Sequence, residues 1–82
     1  MKHRIKLNFL IKDPPKEPFT VPCRIEGDKK NQYWSIYLIP LEKTGIWEGN
    51  LFSDKAPNEL LKKNTQITLF EGTTPIGTGE IQ

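Results

Sequence analysis

The chain is 82 residues long, 35% hydrophobic and 27% charged, with eight aromatic side chains, which suits one small hydrophobic core and excludes the composition of a disordered segment. Twelve Lys and Arg stand against ten Asp and Glu, a formal +2 that is too small an excess to point to nucleic acid by itself. Apolar runs are short, as at Phe9-Leu10-Ile11, so neither a bilayer span nor a signal-peptide core is expected.

The positive charge is local. Lys2, Arg4 and Lys6 supply +3 of the overall +2, so everything after Lys6 sums to −1. The one cysteine, Cys23, has no intramolecular partner, which agrees with a reducing compartment, and a cytoplasmic location is the default expectation. One domain over residues 1–82 is expected from the length alone.

In chain order, His3 to Phe9 alternates polar and apolar residues, which predicts a strand with Ile5, Leu7 and Phe9 on one face. Leu10 and Ile11 break the alternation, as they would if both faces were covered there or if a bulge reset the phase. The proline-containing stretch from Lys12 to Pro18 ends the strand, because proline supplies no ladder donor. Thr20 to Glu26 predicts a second strand with Val21, Cys23 and Ile25 inward. Pro22 confines it to an edge, or to a position where the missing amide faces away from a partner.

Gly27 to Asn31 is a polar turn cluster. Tyr33 to Ile39, rich in aromatic and branched residues, predicts a third strand with Trp34, Ile36 and Leu38 on one face. Pro40 ends it, a connection through Thr44-Gly45 follows, and Ile46 to Phe52 predicts a fourth strand with Trp47, Gly49 and Leu51 together. The two tryptophans are expected to meet across the core. Pro57 to Lys63 allows one helical turn, too short to be a core element. Gln66 to Phe70, the turn at Glu71-Gly72-Thr73-Thr74, and Pro75 to Ile81 predict a closing β-hairpin. The sum is an all-β fold, a small six-stranded antiparallel closed β-barrel, since closure removes exposed edges.

Catalytic chemistry finds little support in these residues. His3 is read as a solvated residue of an N-terminal arm, with no second ligand at metal spacing. Cys23 lies on an apolar strand face and reads as a small core hydrophobe rather than a nucleophile. Carboxylates occur singly. The glycines from Gly72 to Gly79 match no G-x-G-x-x-G pattern and precede no helix, and no P-loop pattern occurs, so neither a cofactor nor a nucleoside triphosphate is expected. Gly77 and Gly79 leave one face of the last strand bare. A core aromatic, Trp34 or Trp47, would fill that stripe if it faces inward, and a ligand or partner backbone if it faces outward.

Two surface features carry a binding expectation. Lys2, Arg4 and Lys6 line one face of the first strand and suit phosphate contacts, or simply a solvated face. Tyr33 and Tyr37 point opposite to Trp34 and Ile36, and suit base stacking or a protein contact unless they cover neighbouring strands.

Ile67-Thr68-Leu69-Phe70-Glu71-Gly72, followed by Ile76-Gly77-Thr78-Gly79-Glu80-Ile81, resembles the closing hairpin of the third domain of elongation factor Tu, where a Glu-Gly turn precedes a Gly-x-Gly strand. His3 to Lys12 and the proline-containing loop to Phe19 also match that domain's opening strand and loop. The resemblance implies a six-stranded antiparallel barrel. In that factor the domain contacts the aminoacyl-tRNA acceptor and T-stem region, the nucleotide-exchange factor and its own GTPase domain. These 82 residues leave no room for a GTPase domain beside a barrel, so hydrolysis is not expected. The family's arginine-proline element is missing, Arg24 being followed by Ile25, and so is its proline-glycine-aspartate turn. The expectation is a non-catalytic binding module that docks on a protein partner, with structured RNA as the alternative and no membrane role.

Overall fold

The computed structural model describes residues 1–41 and 45–82, so the predicted connection at Thr44 lies outside the described residues. Six strands form: β1 (His3–Phe9), β2 (Phe19–Ile25), β3 (Trp34–Pro40), β4 (Ile46–Leu51), β5 (Gln66–Glu71) and β6 (Thr74–Ile81). They close into an antiparallel barrel in the order β1-β4-β3-β2-β5-β6. A single 3₁₀ turn at Asn58–Leu60 stands where a helical turn was predicted.

Closure follows from how β1 divides its pairing. Its first half pairs with β4, from His3 opposite Gly49 to Lys6 opposite Ile46. Its second half pairs with β6, from Ile5 opposite Ile81 to Phe9 opposite Gly77. That stagger is the shear a small barrel needs for its strands to tilt and meet.

Period-two alternation puts Ile5, Leu7, Val21, Cys23, Ile25, Ile36, Leu38, Trp47, Ile67, Leu69 and Ile81 in one core. Six strands leave a narrow interior, and two glycines make it fit. A Cβ on Gly79 would lie 2.8 Å from both Ile5 Cγ2 and Leu7 Cδ2, and one on Gly49 would lie 2.6 Å from Ile5 Cδ1. The bare stripe of β6 thus faces inward, and at Gly79 aliphatic side chains fill it. At Gly77 the Asn8 carbonyl and Phe9 approach instead, so neither tryptophan plays the part expected of it.

The tryptophans do not meet. Trp34 opens β3, whereas Trp47 pairs with Pro40 at the other end of that strand. Trp47 closes its end of the barrel edge-on to Phe9 and Phe19, at ring distances of 5.8 and 5.6 Å. The opposite end is covered by the segment after β4, through buried Ala56 and Leu61. Although the 3₁₀ turn itself buries nothing, the residue after it joins the core.

Two further expectations are corrected, and the closing hairpin gains a detail. Leu10 and Ile11 neither enter a second interface nor follow a bulge; β1 stops at Phe9 and both side chains are exposed. His3 is no free arm, being part of β1, half-buried, with Nε2 3.2 Å from Asn58 Oδ1. The closing hairpin carries a bulge between Leu69 and Phe70, where Leu69 faces Gly77 but Phe70 faces Pro75, leaving Ile76 as the extra residue. Its two-residue loop has positive φ at Gly72 only, +62°, the pattern of a type II′ turn.

Candidate functional site

The bulge has a consequence for the neighbouring seam. β2 pairs with β3 along Phe19 to Cys23, but with β5 only from Cys23 to Ile25. Where the ladder with β5 stops, the bulged end of the β5–β6 hairpin diverges from β2 and a groove of about 420 Å³ opens. Thr20, Val21 and Pro22 form its β2 side, Phe70, Glu71 and Gly72 the hairpin side, and Ile11, Asp13 and Pro15 the wall from the β1–β2 loop. Phe19 and Ile76, partly and fully buried, also line it.

Pro22 takes its place in this seam for a chemical reason. Glu26 N donates to Gln66 O at 3.0 Å, so backbone groups of even-numbered β2 residues turn toward β5. The proline nitrogen, which has no hydrogen, therefore faces β5 one residue past the last ladder pair, Cys23 with Leu69, and offers that strand no donor. Neither expected placement describes it: β2 is no edge in the closed barrel, and the missing amide is on the side of β5, where the ladder ends for want of it.

The predicted basic residues gather on the outer face of β1. Lys2, Arg4 and Lys6 are all exposed. Carboxylates are interleaved with them: Lys2 Nζ lies 3.9 Å from Glu48 Oε2, Arg4 stands opposite Glu48, and Lys6 opposite Glu80. Gln66 Nε2 donates to Glu80 Oε2 at 3.1 Å, so this outer face is a mixed polar surface rather than a cationic one.

Tyr33 and Tyr37 are directed outward but are not paired with each other. Tyr37 stacks on Phe52 at 6.2 Å with the rings 14° from parallel. Tyr33 stands edge-on to Phe70 at 5.1 Å. The Arg24 guanidinium lies over the Tyr33 ring, 4.4 Å from its centroid, and 5.8 Å from that of Phe70. Arg24 Nε is buried without a hydrogen-bond partner, and the two ring systems supply the negative potential that a carboxylate would otherwise provide.

A second cleft, about 510 Å³, lies at the other end of the barrel between the Gly27–Lys30 loop and residues 54–60, with Trp34 as one wall. Asp28 organises it, accepting from the Trp34 indole Nε1 at 2.9 Å and from the amides of Lys30 and Gln32. The Trp34 bond, followed by the two amides, holds the Asp28 carboxyl below the usual carboxylate range. Lys29, Lys30 and Lys55 line the cleft beside Asp28, Asp54 and Glu59, so its charges balance.

Cys23 is fully buried in the core, and desolvation pushes its thiol up to about 12, the condition of an inert structural cysteine. Among the described residues no three His, Cys, Asp or Glu side chains gather closely enough to hold a metal ion. No helix of the described residues is long and apolar enough to cross a membrane. The groove residues Ile11, Thr20, Pro22 and Phe70, and Arg24 beside them, were not singled out by the sequence as a site. Two signals pointed there: the broken alternation at Leu10-Ile11, and a proline inside an otherwise regular strand. No family model, curated protein or solved structure matches this chain.

Proposed function

We propose that this barrel is a non-catalytic module that docks on a protein partner. The observation that supports it most is the groove at the β2–β5 seam, where exposed Ile11 and half-buried Pro15 stand over the buried Phe70 and Ile76. Exposed Leu10 and Tyr33 extend apolar surface at β1's end and beside Phe70. The closing hairpin with its Glu71-Gly72 turn and Gly77-Thr78-Gly79 strand favours kinship with translation-factor barrels, whose third domain in elongation factor Tu works through docking.

Structured RNA is the competing partner, through Lys2, Arg4, Lys6, Tyr33 and Tyr37. The interleaved Glu48 and Glu80 and the ring contacts made by both tyrosines weigh against it. Capture from cell extract, with and without nuclease and at two salt concentrations, separates the readings. Protein docking predicts that the same proteins are retained after nuclease treatment. RNA binding predicts that capture vanishes with nuclease, and that affinity for a structured RNA falls steeply with salt.

A further inference from the structure

We propose that Arg24, held over the Tyr33 ring, anchors an acidic side chain, Asp or Glu, on the surface of the protein partner. The proposal rests on the protein-docking reading and names the chemistry of the contact.

Strand register assembles the anchor on the outer face of the barrel. Arg24 stands opposite Thr68 of β5, and extending the Cys23–Trp34 pair by one residue sets Tyr33 opposite it on the other side. The guanidinium lies 4.4 Å from the Tyr33 centroid, and Tyr33 itself is 42% exposed. Of the three guanidinium nitrogens, Nε alone is sealed from solvent without a partner, so a ligand must approach through Nη1 and Nη2. Among the described residues the one ion pair joins Lys2 to Glu48, which leaves those two nitrogens without a carboxylate.

A guanidinium resting on an aromatic ring keeps its planar fork for two parallel N–H···O bonds, the geometry a carboxylate matches. The rings also replace part of its hydration shell, so less desolvation remains when the anion arrives. Arginine and tyrosine are among the side chains that most often dominate the energy of a protein contact. Arg24 lines neither the groove nor the Trp34 cleft, so what reaches it is a side chain projecting from a facing surface rather than an enclosed small molecule.

Charge limits the anion. Glu26 lies two residues along, just past the end of β2, and Glu71 adjoins Phe70 in β5, both exposed. A single carboxylate suits a lone guanidinium between them, whereas a phosphate dianion or a nucleic-acid backbone meets both glutamates.

Arg4 and Arg24 are the two arginines of the chain, so the arginine Nε–H region of a ¹H–¹⁵N spectrum holds two signals, of which Arg24→Lys removes one. The whole ¹⁵N-labelled chain is titrated with acetyl-Gly-Leu-Glu-Leu-Gly-amide, with the same peptide carrying glutamine for glutamate, and with a phosphoserine version. The glutamate peptide should shift the Arg24 Nε–H signal and the backbone amides of Tyr33 and Thr68, and the glutamine peptide should shift none of them. Arg24→Lys keeps the charge and loses the fork, so with its melting temperature checked it should bind the glutamate peptide about threefold or more weakly. Equal shifts from the glutamine peptide, shifts that leave the Arg24 signal in place, tighter binding of the phosphoserine peptide, no shift at millimolar peptide, or an unchanged affinity in Arg24→Lys would each overturn the proposal. Extract proteins retained equally by wild type and Arg24→Lys would leave protein docking standing with the anchor refuted. Retention of none by either would remove both.

Discussion

Gly49→Ala tests whether the barrel interior is as tight as its geometry states. The new methyl would lie 2.6 Å from Ile5 Cδ1, 3.0 Å from Ile36 Cδ1 and 3.3 Å from Leu38 Cδ2, and all three side chains are fully buried. Overpacking of this kind costs about 1–3 kcal/mol. Relief of glycine's backbone entropy in a strand offsets roughly 0.5–1 kcal/mol of that. Because the nearest contact is far inside ordinary packing distance, the net loss should fall at about 1–2.5 kcal/mol, out of a total stability of about 4–12 kcal/mol. A domain of this size loses roughly 4–8 °C of melting temperature per kcal/mol. The closest clash can be removed selectively, since Ile5→Val deletes Cδ1 and leaves the rest of the side chain. Alone that change costs about 0.5–1.5 kcal/mol as a cavity. Combined with Gly49→Ala it returns the volume, so the double variant should be more stable than the sum of the singles by at least ~0.5 kcal/mol. Urea denaturation of the four proteins measures the cycle. Additivity within error, or a Gly49→Ala variant as stable as the parent, would refute the packing argument.

Asp28 makes acid stability a local observable. Its carboxyl is held low chiefly by the Trp34 indole, so the bonds it accepts contribute fully above its unfolded value of about pH 4, and are lost as pH falls through the lower folded value. In ¹H–¹⁵N spectra the Trp34 indole resonance should therefore move only below about pH 4 while that of Trp47 stays, and a midpoint above the free carboxylate value would contradict the hydrogen-bond account. Cys23, buried and with its thiol pushed up to about 12, should react with an aromatic disulfide at pH 8 at least ~10³-fold more slowly in the native state than in denaturant, and comparable rates would refute its burial. Gly72→Ala meets no atom within 4 Å yet occupies φ +62°, so it should lose about 1–2 kcal/mol from backbone strain alone, with Gly72→Asn losing less; equal losses in thermal melts would count against the type II′ geometry.

Most of the barrel was legible because its strands bury one face each. Ile5 and Leu7, Val21, Cys23 and Ile25, and Ile36 and Leu38 alternate with outward residues, and a two-residue period admits no other element. Strand order was not legible, since β1 meets β4 and β6 only through contacts distant in sequence. The same limit misplaced the tryptophans. Trp34 and Trp47 both fall on inward rows, but a row does not say which end of the barrel a residue reaches, and the register of β3 with β4 separates them along the strand. Tyr33 and Tyr37 share an outward direction for the same reason and part company over their neighbours, Phe70 and Phe52, which no local pattern connects to them.

The groove depends on two local features, of which only Pro22 stood out in the sequence. The bulge at Ile76 turns the hairpin away from β2, and Pro22 occupies the position where β2 has no amide to offer the departing strand. Were Pro22 any other residue, its N–H would face Phe70 across the seam and stand in place to extend the β2–β5 ladder past Cys23. With proline there, the paired ladder stops at Cys23 and the groove opens beside Thr20, between the exposed carboxylates of Asp13 and Glu71.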